Sequence, residues 1–201
     1  MFKLQIKYLS FFFGIVSILS FFNILYSYYF NLYLNLDTYY FTLLASFILF
    51  ITFFKFGKYD IKSNIFQRIL TIFLGYLLIP LVLSIPFYFS IYNLTFSNSF
   101  FEAISGFTST GFTVFENIKL IDQSLIIWRS STQWIGGLYF LFSIIYLIDI
   151  YDDSFKKTLT NFISFNSSEI LKQAVKIFIL YSSLTILIFI ILNIFSIRTF
   201  D

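Results

Sequence analysis

The stretch Ser97-Asn-Ser-Phe-Phe-Glu-Ala-Ile-Ser-Gly-Phe-Thr-Ser-Thr-Gly-Phe-Thr113 is where this sequence can do chemistry. It offers the hydroxyls of Ser105, Thr108, Ser109, Thr110 and Thr113, with no charge between Glu102 and Glu116. Gly111 opens backbone angles closed to other residues. Hydroxyl and carbonyl oxygens suit hard cations rather than the soft metals held by thiolates. The remaining inventory narrows the field further. There is no His and no Cys, which excludes thiolate nucleophiles, haem-ligating histidine, disulfides and zinc sites of the usual Cys/His kind. No carboxylate pair falls within an apolar segment, so the sequence does not read as an enzyme and implies no cofactor. A G-x-x-x-x-G-K-[ST] phosphate loop is absent, so coupling to ATP would need another subunit. Asp149, Asp152 and Asp153 could draw cations to a vestibule or bind a divalent metal; a cluster at a helix end is more often simply solvated.

The elements that must position the stretch follow from composition. Of the 201 residues 59% are hydrophobic and only 11% charged, whereas soluble domains carry about a quarter charged residues. The mean hydropathy of +0.86 leaves too little polar surface to cover a globule, so the chain belongs in a bilayer. The net charge of +3 is no argument for nucleic acid. A charge at the bilayer centre costs at least about 2.5 kcal/mol, so gaps between charges mark the spans. They predict five helices, near 8–30, 38–55, 68–91, 129–149 and 174–196. Lys3 and Lys7 precede an apolar run too long for a signal peptide. With the N-terminus in the cytoplasm, the inner segments hold Lys3, Lys7, Lys55, Lys58, Lys62, Arg68, Lys156, Lys157, Lys172 and Lys176. The outer ones hold only Lys119, Arg129 and Arg198, a clear excess of positive charge inside.

Within this frame residues 97–113 lie in a long outer connection between the third and fourth helices. Ser99 and Glu102 have capping-box spacing, which predicts a short helix opening there and ending near Phe107. Two or three turns cannot cross a bilayer. Irregular backbone at membrane depth is tolerated only where protein buries it or it lines a watery cavity. A half-helix followed by an extended, glycine-containing strand is how potassium-channel filters present carbonyls to an ion. A re-entrant or interfacial amphipathic loop with an incidental glycine fits the same composition. Gly136 and Gly137 suit close helix packing against the loop. Arg129 either neutralises a carboxylate such as Glu102 or snorkels to the headgroups. Pro80 and Pro86 predict a bent third helix.

The run Phe101-Glu-Ala-Ile-Ser-Gly-Phe-Thr-Ser-Thr-Gly-Phe-Thr113, followed by Trp128-Arg-Ser-Ser-Thr-Gln-Trp-Ile-Gly-Gly137, resembles the first pore repeat of the Trk/Ktr/HKT family of potassium transporters. The resemblance implies an all-α integral membrane fold. Two extra transmembrane helices (residues 1–58) would precede a helix–pore loop–helix repeat of potassium-channel type (59–150). A cytoplasmic linker and the first helix of an incomplete second repeat (151–201) would follow. It implies K⁺ transport driven by the membrane potential, in a multi-pass protein of the cytoplasmic membrane, with K⁺ as cargo and no cofactor. Ser109, Thr110, Gly111 and Phe112 would form the filter. Ser109 replaces the commoner Thr and Phe112 is bulky, which leaves the K⁺ over Na⁺ preference open; Gly111, where some members have Ser, argues for K⁺. Family members commonly associate with a nucleotide-binding cytoplasmic regulatory subunit. A family pore needs four filter loops and this sequence supplies one, so the expectation is a fragment, ahead of a split-gene half or a one-loop homotetramer. Further pore repeats would come from the rest of the chain or another copy. The alternative function is a non-transporting membrane assembly or interaction subunit.

Overall fold

The computed structural model describes residues 7–57, 65–148 and 170–194, all of it helix and connecting turns. Two long apolar helices, α1 (Lys7–Tyr29) and α2 (Leu36–Phe56), form an antiparallel hairpin. Their turn uses Asn31 at φ 55°, a left-handed angle that asparagine tolerates better than most residues. The two helices approach closely because small residues meet at their seam. A Cβ on Gly14 would touch the Phe50 ring, and the Ser17 and Ser46 hydroxyls bond at 2.8 Å. Serine and threonine hydroxyls within the helices mostly turn back on their own backbone, as Thr42 does to Thr38 and Ser17 to Phe13. Polar side chains thereby cost little in an apolar setting.

The expected third span is two helices. α3 (Ile65–Leu83) runs through Pro80, then breaks at Ser84 before the single turn α4 (Ile85–Tyr88). Pro80 and Pro86 cannot donate to the carbonyls of Tyr76 and Val82, so the ladder is weakened at both ends of the break. Trp128 from a later helix donates its indole N–H to the Leu83 carbonyl at 3.0 Å and fastens the bend. Next comes α5 (Phe96–Phe107), then an extended stretch and a short 3-10 turn at Ile118–Leu120. α6 (Gln123–Ile148) begins six residues ahead of the expected start, and α7 (Ile170–Ile194) closes the described chain.

Among the described residues, four segments are both long and apolar enough to cross a membrane: Lys7–Tyr29, Leu36–Phe56, Phe66–Tyr88 and Ala174–Ile194. The protein is thus an all-α, multi-pass integral membrane protein. The fourth expected span forms as α6, but its N-terminal half holds Arg129, Ser130, Ser131, Thr132 and Gln133, of which Arg129 and Thr132 are buried against α5 while Ser130 and Gln133 are exposed. The core is aromatic. Tyr8 and Phe12 of α1 pack with Tyr139, Phe142 and Tyr146 of α6, and Phe13 packs with Phe53 of α2. Tyr139 donates to the Ile72 carbonyl at 2.9 Å. The first two helices are therefore packed onto the helices that follow. α7 touches α6 through Tyr181 and through Thr185, which accepts from the Trp134 indole at 3.0 Å; its outer half is exposed and apolar, as lipid contact requires.

Candidate functional site

The half-helix α5 has 12 residues, about 18 Å of rise, against a hydrocarbon core of about 30 Å. Its N-cap is Thr95, whose hydroxyl oxygen accepts from the Asn98 N–H at 3.3 Å. This corrects the capping box expected at Ser99 and Glu102. The helix opens earlier, Ser99 donates back to the Thr95 carbonyl at 3.0 Å, and Glu102 sits mid-helix, fully buried. The end is where the sequence places it. Ser109 N–H bonds to Gly106 carbonyl at 2.9 Å and Thr110 N–H to Ser105 carbonyl at 3.1 Å, with Ser109 left-handed at φ 56°. That pairing is a Schellman cap, a position where glycine is the usual residue. Gly111 follows at φ 81°, with open space where a Cβ would stand. Two left-handed residues within three turn the backbone out of the helix and expose it.

The four candidate ligands then separate. Among the described residues no donor reaches the carbonyl oxygens of Ser109, Thr110 or Gly111, and all three residues are exposed. The Phe112 carbonyl has a competing use: it accepts from the Ser105 hydroxyl at 2.6 Å and from Arg129 Nη2 at 3.1 Å. Its two lone pairs face protein. The Thr110 hydroxyl is also occupied, donating to Ser105 at 3.1–3.2 Å.

Behind the loop lies its anchor. Both Glu102 oxygens accept from the Thr113 hydroxyl at 3.1 Å, and Oε2 also accepts from the Val114 N–H at 3.0 Å. Arg129 Nη1 lies 3.0 Å from Oε1, off the axis of its N–H bonds, so the contact is an ion pair rather than a hydrogen bond. Of the two uses open to Arg129, pairing with the Glu102 carboxylate is the one realised. One buried pair thus holds the loop from both sides at zero net charge.

Small residues bring α6 against this loop. A Cβ on Gly136 would overlap the Phe107 carbonyl, and one on Gly106 would overlap the Thr132 hydroxyl. Gly137 instead faces Tyr181 of α7, so only one member of the pair packs on the half-helix. An open groove of about 420 Å³ runs beside the loop between Tyr76, Phe107, Thr108, Ser109, Gly136 and Phe140. Asp149, Asp152 and Asp153 lie outside the described residues. Among the described residues, no group of three metal-type ligands gathers.

Sequence reasoning missed a polar neck where the two ends of the loop meet the α1–α2 hairpin. Asn35, nearly fully buried, accepts from the Ile91 N–H at 3.1 Å and donates to Asp122 Oδ2 at 3.1 Å. Asp122 N–H donates to the Tyr92 hydroxyl at 2.7 Å, and Tyr92 in turn donates to the Leu120 carbonyl at 3.3 Å. Ser124 donates to Asp122, bonds Tyr39 at 2.9 Å, and offers its carbonyl to Asn23 at 3.2 Å. The one available signal was two asparagines inside or beside otherwise apolar helices.

Comparisons with known proteins bear on this arrangement. Residues 54–200 match a family described as TrkH, cation transport protein. An uncharacterised cation transporter of Methanocaldococcus jannaschii is 35% identical over 65 residues, 32% of this chain and 14% of that protein. The Trk system potassium uptake protein TrkI of Halomonas elongata is 37% identical over 60 residues, 30% of this chain and 11% of the relative. TrkH of Escherichia coli K12, also a Trk system potassium uptake protein, is 33% identical over 82 residues, 40% of this chain and 17% of its own length. The chain thus aligns with less than a fifth of each of these three relatives. No solved structure matches it.

Proposed function

The chain belongs to the TrkH family of cation transport proteins, and from that premise we propose that it carries one filter loop of a K⁺-conducting pore. The carbonyls of Ser109, Thr110 and Gly111 contact the ion in this reading. Phe112, whose carbonyl is held by Ser105 and Arg129, fixes the loop's geometry from behind. What supports the reading above all is three consecutive exposed residues whose carbonyls meet no donor among the described residues, presented at the C-terminal end of a half-helix. That end carries the negative pole of the helix dipole, and dehydration of the ion is offset by carbonyl oxygens. The groove beside Ser109, walled largely by Tyr76, Phe107 and Phe140, leaves open space next to the loop.

The driving force is the membrane potential, worth about 2.3 kcal/mol per charge per 100 mV. The N-terminus faces the cytoplasm, on the excess of Lys and Arg that this places inside. The protein sits in the cytoplasmic membrane, further filter loops come from additional repeats or copies, and a nucleotide-binding regulatory subunit docks on the cytoplasmic side. The division into residues 1–58, 59–150 and 151–201 is part of the same proposal.

The test is Rb⁺ uptake by the native transporter in cells without their own K⁺ uptake systems. Gly111→Asp should abolish uptake at unchanged membrane abundance, because both the φ of 81° and the open face at this position are lost. Unchanged uptake would remove the filter assignment. Thr110→Cys should react with an outside thiol reagent and be protected by K⁺; an assembly subunit would show no cation-dependent protection.

A further inference from the structure

Asn35 lies outside the helix–loop–helix repeat, on the turn that starts α2, yet it touches both ends of the re-entrant segment. Its Oδ1 takes the N–H of Ile91, where the chain leaves α4, and its Nδ2 reaches the carboxylate of Asp122, where the chain joins α6. Everything that forms the loop lies between those two contacts. The amide has no slack. Asn35 is 1% exposed, and its own carbonyl accepts from both the N–H and the hydroxyl of Thr38. On the far side, the Asp122 backbone carbonyl starts α6 by accepting the N–H groups of Leu125 and Ile126 at 2.9 and 3.1 Å, so the residue whose carboxylate Asn35 holds is also the first turn's acceptor. Arg129 comes within two turns of that start and holds the Phe112 carbonyl and Glu102.

We propose that Asn35 is a positioning residue for the filter. By fixing the separation of Ile91 and Asp122, it sets the register of Arg129 against Glu102 and Phe112, and through them the spacing of the carbonyls of Ser109, Thr110 and Gly111. The N-terminal hairpin is then a brace for ion selection. Asn23 and Tyr39 act with it by holding Ser124. The inference rests on the filter reading above.

The chemistry of the pair supplies the test. Asn35→Asp sets two carboxylates against each other where an amide donated before, while the exchange Asn35→Asp with Asp122→Asn restores a donor facing a carboxylate. In the exchanged protein Asp at 35 still accepts from Ile91, and Ser124 still finds an acceptor at 122. Measured in the native transporter at matched membrane abundance, Asn35→Asp should lower the ratio of Rb⁺ to Na⁺ uptake about tenfold, the size of one lost buried hydrogen bond. The exchange should recover most of that ratio. Asn35→Leu should lower the ratio without recovery by Asp122→Asn. If Asn35→Asp leaves the ratio and the KM for Rb⁺ unchanged, or if the exchange recovers abundance but not the ratio, the brace is refuted. Gly111→Asp in the same cells separates the two claims. If it too leaves uptake intact, the filter reading fails; if it alone abolishes uptake, only the brace does. Should Asn35→Asp fail to reach the membrane, the exchanged protein compared with wild type still decides, since a tenfold lower ratio there refutes the pairing.

Discussion

Glu102 satisfies three partners with two oxygens: the Thr113 hydroxyl, the Val114 N–H and the Arg129 guanidinium. Removing one member of a buried ion pair strands the other, at about 3–5 kcal/mol. Glu102→Ala should therefore lower the unfolding free energy in detergent by about that amount, and Glu102→Ala with Arg129→Ala should cost less than the two single changes together. A double-mutant cycle on thermal or denaturant unfolding reads this directly. The importance of Glu102 and Arg129 was legible in the sequence, since a charge beside an apolar run needs a partner. The role of Glu102 was legible only in part: its pairing with Arg129 was one of two readings, and its hold on Thr113 and Val114 was not foreseen. Ser99 and Glu102 satisfy a local capping pattern, but Thr95 had already opened the helix, and the carboxylate found its partners across the loop and on α6. The positive φ of Gly111 could be read from residue type, because glycine is the residue that takes such an angle without steric cost. Ser109 at φ 56° could not, because nothing in a serine announces that angle.

Among the elements, contact between α5 and α6 depends on positions without side chains. At Gly136 the neighbour is the Phe107 carbonyl, which cannot swing aside as the end of a flexible side chain can. Gly136→Ala should destabilise by about 1–3 kcal/mol through overpacking. Gly14→Ala should cost less, since its nearest neighbour is an edge of the Phe50 ring at 3.3 Å. The difference is measurable as a larger fall in melting temperature for the Gly136 variant. Helix identity was well marked by charge gaps, and so was the bend, by Pro80 and Pro86. The break itself falls at Ser84, and its fastening by Trp128 joins residues far apart in sequence. No local pattern encodes such a contact. The early start of α6 escaped for a related reason: its first turns are amphipathic, with Asp122 and Arg129 facing protein rather than water or lipid.

At the scale of the molecule, four apolar helices and a polar-sided α6 enclose an aromatic core, and residues 54–200 fall in the TrkH family. The proposed orientation makes a sharp expectation. A cysteine in place of the exposed Phe112 should be labelled by a membrane-impermeant thiol reagent from outside, and one at Lys55 only after the inner face is opened. The reverse pattern would invert the protein. The spans were legible because the bilayer excludes charge from anything that crosses it; the bracing of the loop was not, because Asn23 and Asn35 meet partners 101 and 87 residues away. That separation also has a meaning in time. A ribosome adding about 5–20 residues per second leaves the two amides roughly 5–20 s without Ser124 and Asp122. During that interval the α1–α2 hairpin is a half-built object, apolar enough to insert but holding two unanswered amides near its outer end. The arrival of Asp122 and Ser124 ends that wait and ties the far end of the loop to the hairpin made first; in the filter reading proposed above, the newborn loop takes its working shape only at that step.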